Sequence, residues 1–249
     1  VIVKAAPTTT EALFYQQIAP ILQAQGVTTP HLLWADLTAP TTWFVLEAIP
    51  LPLPPERWQA DLAVLTQLKQ LHQATVPSLP FSPFVPSWTD DLTQAAAAQW
   101  PRTQRAQAQR KLAAFQARSQ HLFANQCWIS GDPNPLNWGL RANGTVVLYD
   151  WERFGRGTPA LDLAITVPGL GEHHLFEQVA QQYLSAQPTE HSDTTLELLV
   201  RDIAHAKVWN VVEFVAMISR GDVTPTDRIQ ALIDKLPQWL EAITIVNSR

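Results

Sequence analysis

Three oxygen-bearing side chains stand close together in the middle of this chain: Asp132, Asn137 five residues later, and Asp150 at the end of two short apolar runs, 136–140 and 145–149. Magnesium-dependent phosphoryl transfer needs such a set. One carboxylate orients the attacking hydroxyl and accepts its proton, while a carboxamide and a second carboxylate hold a hard cation through oxygen. Pro133 and Pro135 keep the segment after Asp132 from becoming a helix. Asn143-Gly144 between the two apolar runs is a strong hairpin signal, and the hairpin would fold Asp150 back beside Asn137.

The elements that must position this set follow from the apolar pattern. Val1 to Ala5 reads as a strand. Thr8 and Glu11 have capping-box spacing ahead of a helix from Glu11 to about Gln25, ended by Gly26. His31 to Ala35 and Thr42 to Ala48 read as strands, and Pro50, Pro52, Pro54 and Pro55 then make a stiff connector. The expected division is therefore a small α+β unit, residues 1–49, and a larger helical unit, residues 50–249. In the second unit a helix is expected from Glu56 to about Ala74, with a stripe of Leu62, Leu65, Leu68 and Leu71. A proline- and aromatic-rich loop fills 76–88, and one or two helices fill 89–126. Cys127-Trp128-Ile129 is a short strand leading into Ser130-Gly131-Asp132. Helices fill most of 160–245, interrupted at Pro188 and Pro225.

Composition removes several function classes. The 249 residues carry 17 basic and 22 acidic side chains, a net charge of −5 with neutral histidines. That balance argues against nucleic acid as a partner, which asks for a basic domain or patch. No apolar run reaches the roughly 18 residues of a membrane span, so no membrane association and a cytoplasmic location are expected. A single cysteine, Cys127, excludes an internal disulfide and a Cys-rich zinc site. The chain contains neither a G-x-x-x-x-G-K-[ST] phosphate loop nor a G-x-G-x-x-G fingerprint.

Residues 128–164 carry a joint pattern: Gly131-Asp132 with Asn137, then the hairpin, then Asp150-Trp151-Glu152, then Gly157, Pro159 and Asp162-Leu163-Ala164. This stretch resembles the aminoglycoside phosphotransferase and choline kinase superfamily. The resemblance implies an α+β, two-lobed protein-kinase-like fold, with a small β-rich N-terminal lobe and a large helical C-terminal lobe. It implies Asp132 as catalytic base and Asn137 and Asp150 as Mg2+ ligands. Lys4 is similar to the strand lysine that grips the phosphates of ATP (or GTP), and Glu11 to the helix glutamate that pairs with it. Glu47, Ala48 and Ile49 look like the hinge whose backbone meets the base. Residues 62–72 resemble the first large helix of the C-terminal lobe. Asp162 is expected to hold the catalytic segment through backbone hydrogen bonds. The pattern departs from the family at Ser130, where the family has histidine, and in the short spacing from Lys4 to Glu11. Two strands and a phosphate-covering loop are expected before Lys4, so the nucleotide lobe reads as truncated and the chain as numbered from inside a longer protein.

The acceptor side is thinner. Residues 202–220 plot as an amphipathic helix, with Asp202, His205, Trp209 and Glu213 opposite an apolar face. That stripe faces solvent or walls a substrate pocket; in the second reading Trp209 and Glu213 meet an amine through cation–π and charge contacts. The function expected from these readings is an ATP- and Mg2+-dependent phosphotransferase acting on a hydroxyl of an aminoglycoside-, choline- or sugar-like small molecule. A kinase-like binding module without catalysis is the alternative.

Overall fold

The computed structural model describes residues 1–38, 40–186 and 195–246, with backbone alone for 244–246. The expected helix break at Pro188 lies outside these residues. The chain begins with β1 (Ile2–Ala6), and β2 (Leu32–Asp36) and β3 (Thr42–Leu46) complete an antiparallel sheet of order β1-β3-β2. In β3, Thr42, Phe44 and Leu46 are buried while Trp43 is exposed, the two-residue alternation of a strand with one covered face. Lys4 lies opposite Phe44 in this register.

Between β1 and β2 the chain is helical: α1 (Thr10–Leu13), a π-helical turn (Phe14–Ile18) and α2 (Ala19–Gln23). Pro20 has no N–H to offer the carbonyl of Gln16, which explains the local widening. The expected capping box is not made. Thr9 is the N-cap residue without a side-chain bond, and the Glu11 carboxylate turns to Lys4 instead. Phe14 stacks on Trp151 at 4.5 Å between centroids and leans on Phe154 at 5.0 Å. These rings fix the helix that carries Glu11 against the segment that carries Asp150.

After Pro50 the chain joins a second sheet. The two-residue β4 (Leu51–Pro52) pairs with β6 (Trp138–Leu140), which pairs with β7 (Val146–Leu148). The helix expected from Glu56 starts later, as α3 (Leu62–Gln73), because Pro55–Arg57 form a 3-10 turn and Asp61 caps the helix by accepting from the Val64 N–H at 3.0 Å. Leu65, Leu68 and Leu71 are buried as the stripe predicts, but Leu62, in the first turn, is 57% exposed.

Next come α4 (Asp90–Ala97) and α5 (Arg105–Arg118). β5 (Cys127–Ile129) leads into the Asp132 loop and pairs antiparallel with β8 (Gly155–Gly157). α6 (Pro159–Ile165), α7 (His173–Ser185), α8 (Leu196–Arg220), α9 (Asp227–Ile233) and α10 (Leu236–Val246) complete the helical part, with the expected break around Pro225 falling between α8 and α9. The amphipathic reading of α8 is corrected. It packs against α4, α6 and α7, so His205 and Trp209 are buried on what the sequence marks as its polar side. His205 meets Phe115 edge-on and Trp209 meets Phe123. Among the described residues no helix is long and apolar enough to cross a membrane.

Candidate active site

The first part of the site is built by β1, α1 and the end of the β6–β7 hairpin. Lys4 Nζ lies 2.7 Å from Glu11 Oε1 and 2.6 Å from Oε2, and 3.8 Å from Asp150 Oδ1. Glu11 is 1% exposed. Burial pushes its carboxyl pKa up, against the lowering effect of the Lys4 bond and charge. Tyr149 N–H donates to the Asn137 carbonyl at 3.0 Å, so the hairpin brings Asp150 back beside Asn137 as its turn signal predicts. Asp150 itself sits at φ +68°, a left-handed conformation uncommon for a side-chain-bearing residue. Lys4, Glu11, Asn137 and Asp150 all line one cleft of about 410 Å³, together with the apolar Ile2, Leu46 and Ile49.

The hinge residues divide. Glu47 also lines this cleft, but its carboxylate is committed: Arg141 donates to it from Nε at 2.8 Å and from Nη2 at 2.7 Å. The Arg141 bonds hold the Glu47 carboxyl below its ordinary pKa. The Glu47 backbone N–H donates to the His31 carbonyl at 2.9 Å. Ile49 presents its side chain to the cleft, whereas Ala48 is exposed and lies outside the cleft lining.

The second part is the loop from Ser130 to Asn137. Asp162, 0% exposed on α6, accepts from the Ser130 N–H at 2.8 Å and the Gly131 N–H at 2.9 Å, as the sequence led us to expect. His72 Nε2 lies 3.2 Å from the same carboxylate, and His72 Nδ1 lies 2.8 Å from the Tyr183 hydroxyl. Gly131 has φ +80°, and a Cβ there would lie 2.3 Å from the Arg153 carbonyl oxygen, so no other residue fits. Asn137 Nδ2 donates to the Asp132 carbonyl at 2.9 Å and to Asp132 Oδ2 at 3.2 Å, and Asn134 Nδ2 donates to Asp132 Oδ1 at 3.0 Å. Burial raises the Asp132 pKa; the Asn134 bond and the Arg153 charge oppose the rise, while Asp150 adds to it. The Ser130 hydroxyl is buried and has no partner among the described residues.

The expected acceptor-side residues fare differently. Trp209 is only 2% exposed and donates from Nε1 to the Ser87 carbonyl at 3.0 Å, so its indole is packed away rather than offered to a ligand. Glu213 is half-buried and accepts from Arg153 Nη2 at 2.8 Å on each of its oxygens. The structure thus gathers Lys4, Glu11, Asn137 and Asp150 at one cleft, with Asp132 bonded to Asn137, and leaves Ala48 and Trp209 outside. Sequence reasoning missed Glu152, Arg141, Arg153 and His72. Glu152 was legible inside the quoted Asp-Trp-Glu run, but Arg141, Arg153 and His72 acquire their roles from partners 94, 60 and 90 positions away, at Glu47, Glu213 and Asp162.

Carboxylate oxygens of Glu11, Asp150 and Glu152 lie within 4.8 Å of one another. Since Lys4 already occupies Glu11, the oxygens left for a cation are those of Asp150, Glu152 and the Asn137 carboxamide. An all-oxygen donor set of this kind fits a hard divalent cation such as Mg2+.

A comparison with curated protein sequences finds no match. Solved structures resemble the chain over nearly all its length. An aminoglycoside phosphotransferase from Alicyclobacillus acidocaldarius superposes with a TM-score of 0.64 at 15% identity, covering 98% of this chain and 83% of its own. An amicoumacin kinase in complex with AMP-PNP, Ca2+ and Ami gives 0.61 at 12% identity, covering 97% and 80%. The choline kinase LicA from Streptococcus pneumoniae gives 0.56 at 15% identity, covering 94% and 83%. At such identities these likenesses establish the α+β kinase-like fold. The family described as "Phosphotransferase enzyme family" matches residues 1–194. Fold, motif run and family match agree: the chain belongs to the phosphotransferase enzyme family.

Proposed function

We propose that the protein transfers the γ-phosphoryl group of ATP, or of GTP, to a hydroxyl group of a small molecule with the help of Mg2+. One observation carries this reading: the Lys4–Glu11 pair, Asn137 and Asp150 converge on one cleft, and Asp132 is hydrogen-bonded to Asn137. In this reading the boundary between the nucleotide lobe and the helical lobe falls at residues 49/50, with the base against Glu47–Ile49.

Each role follows from the chemistry of the side chain. Glu11 is buried and holds the Lys4 ammonium at the cleft, where it meets phosphate oxygens. Asn137 and Asp150, with Glu152 nearby, supply the oxygens for the cation. Mg2+, when bound, neutralises phosphate charge. Asp132 accepts a hydrogen bond from the acceptor hydroxyl and orients its oxygen toward the γ-phosphorus. The new bond runs from that oxygen to the γ-phosphorus; the bond to the β–γ bridging oxygen breaks; the hydroxyl proton passes to Asp132 and the nucleoside diphosphate leaves. Positioning and fixed charge supply the catalysis.

A non-catalytic binding module is the second reading, favoured by the buried, unpartnered Ser130 hydroxyl where the resembled pattern has histidine. One experiment separates the two. Mg2+-dependent thermal stabilisation by ATP is measured for the wild type, Asp132→Ala and Asp150→Ala. The phosphotransferase reading expects a shift that needs Mg2+, is lost in Asp150→Ala and persists in Asp132→Ala, with turnover abolished in the latter. Turnover unimpaired in Asp132→Ala refutes the base assignment, and no shift with any nucleotide favours the binding module.

A further inference from the structure

Arg153 has no role in the reading above, yet it is fixed beside Asp132. Its backbone packs directly on Gly131, leaving no space there for a Cβ. Its guanidinium lies 4.3 Å from the centroid of the Phe84 ring and donates from Nη2 to both oxygens of Glu213. Both of those bonds use one nitrogen. The two N–H groups of Nη1 find no acceptor among the described residues. Arg153 is also the cation whose charge acts on Asp132.

The other charges near this face are assigned or paired. Asp150, whose charge also acts on Asp132, and Glu152 hold the cation in the reading above. Glu213, the carboxylate that α8 brings to Arg153, is neutralised by it. Glu11 is held by Lys4 on the nucleotide side, and Asp202, further along α8, is paired with His121 and Arg201. A cationic acceptor approaching Asp132 therefore meets a guanidinium, and Glu213, the α8 carboxylate beside it, is already paired. An ammonium group would have to displace Arg153 from Glu213 and from the Phe84 ring. An anionic group needs no such displacement, because Nε is buried but the free Nη1 N–H groups can donate charge-assisted hydrogen bonds to a carboxylate.

We infer that Arg153 is an acceptor-specificity residue, and that the acceptor is a hydroxy acid: a small molecule carrying a carboxylate near the hydroxyl that is phosphorylated. This inference rests on the phosphotransferase reading and specifies its substrate class. The transfer step is the one written above, with the acceptor carboxylate on Arg153 Nη1 and its hydroxyl on Asp132.

The test uses the full chain with Mg2+ and ATP. Nucleotide diphosphate release is followed with hydroxycarboxylates (glycerate, homoserine, lactate), neutral polyols (glycerol, glucose) and cationic alcohols (choline, ethanolamine, kanamycin). Mg2+–ATP thermal stabilisation is recorded in parallel as an acceptor-independent readout. The expected result is turnover with a hydroxycarboxylate, a KM for it raised about tenfold or more in Arg153→Gln, and partial recovery in Arg153→Lys, while the Mg2+–ATP shift stays at the wild-type value. Phosphorylation of a cationic or neutral acceptor in preference, or of no hydroxycarboxylate at all, overturns the inference while the intact nucleotide shift leaves the phosphotransferase reading standing. Absence of that shift overturns the reading and the inference together.

Discussion

Removing the carboxylate of Asp162 tests how the loop from Ser130 to Asn137 is held. Asp162 is 0% exposed, and its two oxygens satisfy the buried N–H groups of Ser130 and Gly131 at 2.8 and 2.9 Å, besides meeting His72 at 3.2 Å. Asp162→Ala leaves two backbone donors and an imidazole without their acceptor. A buried donor left unsatisfied costs about 1–3 kcal/mol, so the two backbone groups alone imply a loss of roughly 4 kcal/mol. For a chain of this size each kcal/mol moves Tm by about 2–4 °C, which places the variant roughly 8–16 °C below wild type. Asp162→Asn keeps one acceptor oxygen but turns an NH2 toward a donor, and is expected to fall between wild type and Ala. The function follows the geometry. Well below its Tm, Asp162→Ala is expected to lose kcat, because the Asp132 loop is no longer anchored, while Mg2+–ATP stabilisation survives, because Lys4, Glu11 and Asp150 are untouched. Paired thermal melts and steady-state kinetics on the three proteins decide the matter. A Tm within about 3 °C of wild type with kcat unchanged in Asp162→Ala would show that the loop is held by something else, and the anchoring argument would fail.

Ser130→Ala removes a buried hydroxyl that has no partner, so stability should hold or rise by up to about 1 kcal/mol and turnover should stay within about twofold; a large loss of turnover would show that the hydroxyl braces the loop. Burial holds His205 at a pKa of about 4, down from 6.5, with neither ring nitrogen partnered among the described residues. The unfolded chain therefore binds a proton between about pH 6.5 and 4 that the native chain refuses, and stability should fall as pH drops through that window. His205→Leu should flatten this dependence, as read from urea melts at pH 4.5, 5.5 and 6.5; parallel curves for the two proteins would refute it. Lys207 is buried with its amine on the carbonyls of Ala164 and Val167, and burial lowers its pKa to about 7. Here too the unfolded state binds the extra proton, between about pH 7 and 10.5, so the stability of wild type relative to Lys207→Met should improve as pH rises across that range. A gap that does not change with pH would show that the two carbonyls keep the ammonium charged in the native state.

The sequence was legible where chemistry and local geometry coincide. Asp132, Asn137 and Asp150 announce themselves because a rigid Pro-x-Pro loop and an Asn-Gly hairpin fix their relation within 19 residues of chain, and the hairpin forms as its turn residues require. Gly131 and Asp162 belong to the same short motif, and the backbone bonds between them follow from it. Pairing across longer separations could be read only by resemblance, as with Lys4 and Glu11, where the local capping-box rule pointed the wrong way. A lysine ammonium is a stronger partner for the buried Glu11 carboxylate than a free helix N–H, and the rule has no knowledge of it.

What tertiary structure alone decided is which polar side chains are packed away and which are paired. The pattern of α8 marks His205, Trp209 and Glu213 as one polar face, but periodicity records only polarity and not what packs against it. The structure buries His205 against Phe115 and Trp209 against Phe123, and hands Glu213 to Arg153. Arg153 is unremarkable in the sequence and gains its meaning from Gly131, Phe84 and Glu213, which converge on it from different elements. The sequence by itself thus determined the Asp132–Asn137–Asp150 motif, which is written in local spacing, while the kinase-like architecture was legible only through the family resemblance that this motif carries. Which charges stay unpaired was decided by long-range packing, because a side chain's free hydrogen bonds are whatever its distant neighbours leave unused.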